Sequence, residues 1–337
     1  MLWRKLIKRL ALRIGILRSL CVVALLYGAT PLAAAAGNTT QRDSNWQQAW
    51  QDLQHLSSDE MAGRATGTAG NQAARLYLQT RFAQLQLLVP GDSYFQPFAF
   101  KEGFSQRQGV NVLGLRRGCV HPDRYIVVTA HYDHLKPRGK KIFNGADDNA
   151  SGVAGLLYLA AQTLTQCPAY SYWFLATDAE EMGLDGAKAF LAAPPVPRAQ
   201  LLLNINLDMI SRGEMNQRLY LAGKKQLPQL SAFAASVQTP LKLTLAHDGR
   251  QSRLGRHSSA AVDWANASDH AVFRKAGMPY LYFGVDVHPQ YHTPQDDWQR
   301  IDPGYFRAAL ELIEQSRRWA DALPLTELAA AQRSSVN

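Results

Sequence analysis

Three short apolar runs, each ending on a polar cluster, constrain the fold of this chain more than any other feature. Residues 124–130 (RYIVVTA), 171–177 (SYWFLAT) and 201–207 (LLLNINL) are nearly unbroken stretches of β-branched, aromatic and aliphatic side chains. Such runs make strands buried on both faces. Between the first two, residues 151–166 carry Val153, Leu156, Leu157, Leu159, Ala160 and Leu164 at helical spacing. Strand, helix, strand implies a parallel sheet, and open α/β sheets collect ligands at the carboxyl ends of their strands. His131-Tyr132-Asp133 follows the first run, Glu180-Glu181 the second and Asp208 the third. These clusters are therefore expected on one edge of the sheet.

The rest of the chain fits an α/β fold with a mixed, mostly parallel central sheet flanked by helices on both faces. Residues 94–101 and 110–115 read as early strands forming an antiparallel edge, with helices before them at 45–56 and 69–88. Later strands are expected at 219–222, 241–246 and 279–283, and helices at 227–237, 268–276 and 303–322. Residues 1–36 read as a secretory signal: six basic residues from Arg4 to Arg18, an apolar stretch from Leu20 to Leu26, and a small-residue run before Gly37. The apolar stretch is shorter than the roughly 20 residues a membrane span needs. The expected organisation is a signal at 1–36, one domain at 37–325 and a frayed tail at 326–337. Periplasmic or secreted localisation follows, with no stable membrane anchor once the signal is removed.

Removing those six cations lowers the formal charge from +9 to +3. The basic balance is thus mainly a targeting feature and does not argue for a nucleic-acid partner. Cys119 and Cys167 each lie shortly before a predicted parallel strand, on the edge opposite the acidic clusters. An oxidising compartment would allow a disulfide between them, and two buried thiols are the alternative.

The clusters have donor types suited to metal and proton chemistry. At the end of a strand, His131 and Asp133 point the same way, so one can bind a cation while the other orients a neighbour. His134 has no second feature in its favour and is expected to be solvated. Gly145 and Gly152 bracket Asp147 and Asp148; a helix-capping loop would explain one of these acids and not both, and Asp148 is the candidate to bridge two cations. Of the adjacent acids Glu180 and Glu181, one can coordinate while the other holds the proton of a water. Asp208 ends an apolar run and needs a partner. Tyr291-His292-Thr293 lies in a turn-like stretch.

Taken in order, His-x-Asp, Gly-Ala-Asp-Asp-Asn-x-Ser-Gly, Glu-Glu-Met-Gly, Asn-Leu-Asp-Met-Ile, Ser-Asp-His-x-x-Phe and Tyr-His-Thr-Pro-x-Asp resemble the zinc aminopeptidases of peptidase family M28. Gly63-Arg64 and Gly67-Thr68 are similar to that family's N-terminal part. The resemblance implies two zinc ions sharing Asp148, one on His131 with Glu181 or Asp208 and the other on His292 with the remaining acid. The family's usual arrangement pairs Asp208 with His131 and Glu181 with His292. It further implies Glu180 as general base, Asp133 orienting His131, Tyr291 as a donor to the developing oxyanion, and a cis peptide after Asp148. The substrate would be the N-terminus of a peptide or small protein.

A glutaminyl cyclase, a dipeptidase and a non-catalytic binding protein on the same scaffold are the competing expectations. Ser268-Asp269-His270 does not read as a serine-hydrolase triad, since no Gly-x-Ser-x-Gly elbow is present. Loops at 248–264 and 283–291 are expected to line the side-chain pocket, and Arg250, Arg253 and Arg256 in the first would suit an acidic substrate group.

Overall fold

A computed structural model describes residues 30–246 and 262–334. Residues 1–29 of the predicted signal segment lie outside them, as does most of the loop at 248–264 with its three arginines. The chain divides into Met1–Gln47 and Gln48–Asn337. Among the described residues the first unit contributes only the opening turns of helix α1 (Thr30–Leu56). This helix starts well before residue 45, where the sequence places its beginning. Pro31 in the first turn and the alanines at 33–36 favour that early start.

The second unit is built on an eight-stranded sheet. Its strands are β1 (Phe95–Glu102), β2 (Ser105–Arg116), β3 (His121–His131), β4 (Tyr170–Thr177), β5 (Leu201–Leu207), β6 (Arg218–Ala222), β7 (Lys242–Leu245) and β8 (Tyr280–Gly284). They lie in the order β1-β2-β4-β3-β5-β8-β6-β7. The central β4-β3-β5-β8 block is parallel; β1, β2 and β4 are joined antiparallel, as are β8 and β6. The mixed α/β architecture expected from the sequence is thus the one observed. Every residue of β4 and β5 is buried, the burial that their unbroken apolar runs require. β2 begins earlier than expected because its exposed first third, Ser105–Gln108, has no apolar pattern and is held by main-chain pairing to β1.

Helix α2 (Ala69–Gln84) is capped by Thr68, whose side chain accepts from the Asn71 amide. Helix α3 (Gly152–Thr165) links β3 to β4 and is buried over nearly its whole length against β3, β4, β5 and helix α7 (Pro303–Asp321). Asp302 caps α7 through the Tyr305 amide at 2.8 Å, and a proline opens its first turn. Helix α4 (Asp185–Ala192) packs on β1, β2 and helix α6 (His270–Lys275), while the short α5 (Leu230–Ser236) lies on β7. Val127, Trp173, Leu175, Phe190 and Phe273 share one core cluster there. Alternation turns the equally buried Ile126 and Val128 to the opposite face.

Two details at the ends of the chain and sheet complete the fold. The segment expected to fray is helix α8 (Leu325–Ser334), which packs on β5 and buries Leu328 completely. Isolated alanine- and serine-rich chain offers no sign of that burial, which β5 supplies. Cys119 and Cys167 are joined by a disulfide with Cα atoms 6.0 Å apart, ahead of β3 and β4. No described helix is long and apolar enough to cross a membrane.

Candidate metal centre

Sheet register brings the polar clusters level with one another. Pairing of Thr129 with Asn206 and of His131 with Thr177 sets the end of β3 beside Asp208 and the loop carrying Glu180 and Glu181. His131 is 1% exposed. Its Nδ1 lies 3.1 Å from the main-chain carbonyl of Asp133 and 3.7 Å from that residue's carboxylate. The ring is therefore oriented chiefly by the Asp133 main chain, and its Nε2 faces Asp148 Oδ1 at 3.3 Å and Asp208 Oδ1 at 3.4 Å. The Asp133 carboxylate has a different task. It accepts the amides of Glu180 and Glu181 at 3.1 and 3.3 Å, tying the acidic pair to the end of β3.

The loop that delivers Asp148 is held from both sides. Asp296 receives the amide of Asp147 on one carboxylate oxygen and that of Asp148 on the other, each at 3.0 Å. The Asp148-Asn149 peptide is cis. Asn149 donates to the Leu207 carbonyl at 3.0 Å and accepts from the amides of Gly152 and Met209. A Cβ at residue 152 would lie 2.4 Å from the Leu207 oxygen, which leaves glycine as the fitting residue. Asp147 is turned away from the cluster, accepting from the Ser211 amide and hydroxyl at 2.7 Å and facing His288 Nε2 at 3.2 Å. The second acid of the pair is thus explained by framework bonding.

His292 completes a second group of donors. Its Nε2 lies 3.0 Å from Asp148 Oδ2 and 3.3 Å from Glu181 Oε1. Tyr291 stacks on the His292 ring, with centroids 3.8 Å apart. His134, expected in solvent, is 2% exposed, with Nδ1 3.0 Å from Glu181 Oε1. Its burial follows from packing against the Asp148 loop and His292, contacts that are remote in sequence. Candidate metal donors therefore fall into two sets, His131, Asp148 and Asp208, and His134, Asp148, Glu181 and His292. Asp148 belongs to both.

The chemistry of these donors fits cations. Asp148 Oδ2, Asp208 Oδ1 and His292 Nε2 are buried without a hydrogen bond, although each faces another donor at 3.0–3.4 Å. Buried polar groups left unpaired are costly, and a shared cation removes that cost. Protonation follows the same pattern. Burial opposes ionisation of Asp148, yet His131, His292 and His134 hold it well below the usual carboxylate range. Burial and the neighbouring acids push Glu180 well above its usual range, against the pull of His131. For His292, Asp148 and Glu181 outweigh burial and raise the imidazole to about 10.

Behind the donors sits a buried cation. Arg64 is 1% exposed and donates to the carbonyls of Tyr132 (2.9 Å), Asn144 (2.7 Å), Gly145 (3.1 Å) and Leu56. Burial lowers it to about 10, opposed by Asp148, Asp296, Asp133 and Glu181. Neither Arg64 nor Asp296 receives a role from sequence reading, although both stand in the motifs quoted above. Beside Asp133, His134 and Glu181 opens a cavity of about 560 Å³ whose lining includes Lys136, Arg138 and Gln108. It is distinct from the loop at 283–291 that the sequence assigns to the side-chain pocket.

Ser268, Asp269 and His270 do not form a triad. Ser268 Oγ accepts from Asn206 at 2.9 Å, Asp269 accepts the Thr177 hydroxyl, and His270 Nε2 faces the Trp264 carbonyl at 2.9 Å.

Comparison with known proteins places this geometry in context. The family model described as peptidase family M28 matches residues 111–316. Aminopeptidase YwaD of Bacillus subtilis is 28% identical over 228 residues, covering 63% of this chain and 45% of that protein. The chain thus matches less than half the length of that relative. The crystal structure of BSAP, a zinc aminopeptidase from Bacillus subtilis, superposes with a TM-score of 0.65 at 18% identity, covering 82% of this chain and 95% of the other. A Porphyromonas gingivalis glutaminyl cyclase superposes with a TM-score of 0.61 at 20% identity, covering 81% and 98%. Both structural likenesses are of fold.

Proposed function

Because the chain belongs to peptidase family M28, we propose that it is a zinc-dependent aminopeptidase cutting the first peptide bond of peptides with a free N-terminus. The observation that carries this reading is the convergence of two donor sets on the single buried carboxylate of Asp148. In it, His131, Asp148 and Asp208 hold one ion, and Asp148, Glu181 and His292 hold the other. Two zinc ions so held would polarise the scissile carbonyl and make water acidic enough to attack near neutral pH.

Each neighbouring residue then has a task. Glu180, the acid whose affinity for protons burial raises, takes the proton of the attacking water and passes it to the leaving amine. Asp133 holds the Glu180 amide and so fixes the base against the end of β3. Tyr291, whose phenol burial keeps protonated, donates to the developing oxyanion. The acidic donors attract a free substrate amine, which accounts for cleavage at the N-terminus. We read residues 1–36 as an export signal; the Cys119–Cys167 disulfide is in keeping with an oxidising compartment.

The test is hydrolysis of aminoacyl-p-nitroanilides with free and blocked N-termini by protein stripped with chelator and restored with zinc, beside a glutaminyl-peptide cyclisation assay. Zinc-restored release from free substrates alone is the expected result. Cyclisation without hydrolysis would transfer the chain to the cyclase reading, against which stands the Asp-Asn-Ala-Ser-Gly form of the bridging motif.

A further inference from the structure

Tyr282 brings to the metal centre a phenol that the reading above does not employ. It stands on β8 level with Asn206 of β5, and the next residue, Phe283, accepts the Asp208 amide at 3.1 Å. Strand alternation therefore puts its side chain on the face that Asn206 and, two residues on, Asp208 share. Gly284 leaves room for the ring to lie along the strand toward that end. A Cβ at residue 284 would stand 3.0 Å from the Tyr282 hydroxyl oxygen and 2.9 Å from the Asp208 carbonyl oxygen. Both oxygens thus border the same small space at the carboxyl end of β8.

The ring is fixed in place while its hydroxyl is left free. His270 stacks on it with centroids 4.1 Å apart and planes inclined by 12°, and Trp264 packs on it at 5.8 Å. Tyr220 belongs to the same aromatic cluster, and its hydroxyl donates to Asp286 at 2.8 Å. Tyr282 is 5% exposed, yet among the described residues its hydroxyl has no hydrogen-bond partner. Burial, with Asp208, Glu180, Tyr291 and Asp148 around it, holds the phenol protonated. A neutral hydroxyl can donate its proton and accept on its lone pairs, so a partner must come from solvent or from substrate. Tyr282 leads directly into the loop at 283–291 and touches Trp264 at the end of the loop at 248–264. These are the two segments that the sequence assigns to the side-chain pocket.

We infer that Tyr282 determines specificity, its hydroxyl meeting the side chain of the substrate's first residue and selecting a carboxamide over an aliphatic group of the same shape. The carboxamide oxygen accepts the phenol proton, or its nitrogen donates to the phenol oxygen. An aliphatic side chain strips water from the hydroxyl and returns no bond. A carboxylate adds one more charge beside Asp208, Glu180 and Asp148. The inference rests on the aminopeptidase reading above, and its test separates the two.

The measurement is kcat/KM of the zinc-loaded protein for asparaginyl- and leucyl-p-nitroanilide, whose side chains have nearly the same shape, with wild type, Tyr282→Phe and Tyr220→Phe. The wild type should favour asparagine, and Tyr282→Phe should lower the asparagine-to-leucine ratio about fivefold or more. Tyr220→Phe, which removes a hydroxyl of the same cluster already bound to Asp286, should leave the ratio within about twofold. A ratio unmoved in Tyr282→Phe, or moved equally in both variants, would overturn the inference and leave the aminopeptidase reading standing. Absence of zinc-dependent hydrolysis across the whole panel of aminoacyl substrates would overturn that reading and this inference with it. Should Tyr282→Phe not fold, the wild-type order decides, with leucine ahead of asparagine overturning the inference.

Discussion

Two clusters of nearly the same composition meet opposite fates in this molecule. His131-Tyr132-Asp133-His134 closes β3, and Ser268-Asp269-His270 opens α6. Both are buried almost completely. In the first, imidazole nitrogens face carboxylates of remote segments at 3.0–3.4 Å, and Glu180, Asp208 and Asp148 pull His131 well above its usual range despite burial. In the second, each side chain turns a polar atom to a framework neighbour: Ser268 to Asn206, Asp269 to Thr177 and His270 to Trp264. His270 faces a main-chain carbonyl, stacks on Tyr282 with centroids 4.1 Å apart, and is pushed down to about 3 by burial. A site is thus distinguished from framework by what its donors face; residue type and burial are shared by both.

The largest expected effect sharpens this contrast through activity. Glu180→Gln should lower kcat by about 10²–10⁴-fold with zinc content unchanged. Ser268→Ala removes one neighbour that helps keep Asp208 ionised and should cost less than about tenfold, with no change in substrate class. Equal losses in the two variants would erase the distinction between the clusters and return Ser268 to the chemistry.

A second effect lies in acid stability. The folded pKa of His270 is lowered to about 3, against about 6.5 when unfolded. Between these values the unfolded chain binds the extra proton, so this group's contribution is intact above about pH 6.5 and is lost as pH falls toward 3. In metal-free protein, urea unfolding of His270→Gln should lose about 3 kcal/mol less stability than the wild type between pH 7 and pH 4. Parallel pH curves for the two proteins would show that His270 is not held neutral.

The smallest effect concerns the cavity that only the first cluster borders. Lys136 and Arg138 line it near Glu181 and are exposed, so a substrate carboxylate there gains only a solvent-screened attraction. Replacing both by alanine should lower kcat/KM about two- to fivefold for short peptides with a free C-terminus and leave their amides unaffected. Equal changes for acids and amides would mean that the substrate does not extend into this cavity.

Much of this organisation is legible in the sequence, for a local reason. Strand runs 171–177 and 201–207 coincide with β4 and β5 because apolar residues in unbroken succession have no amphipathic alternative. The helix at 151–166 is found within a residue at each end. Less legible are features held by contacts between distant segments. The polar first third of β2 is a strand because β1 supplies its partners, and α8 is ordered because β5 covers Leu328. Arg64 joins carbonyls from three separate stretches, and its neighbours in sequence give no sign of that burial.

What the sequence determined by itself is the order of strands and helices and the kinds of donor at the strand ends, because periodicity and desolvation act over a few residues. Only the tertiary structure decided which donors meet. Register between β3, β4 and β5 sets the level of His131, Glu181 and Asp208, and the clamp of Asp296 on two amides sets that of Asp148. It also turned His134 inward and Asp147 away. Coordination depends on atoms a few ångströms apart, and a one-residue slip between strands would separate them while leaving every local pattern intact.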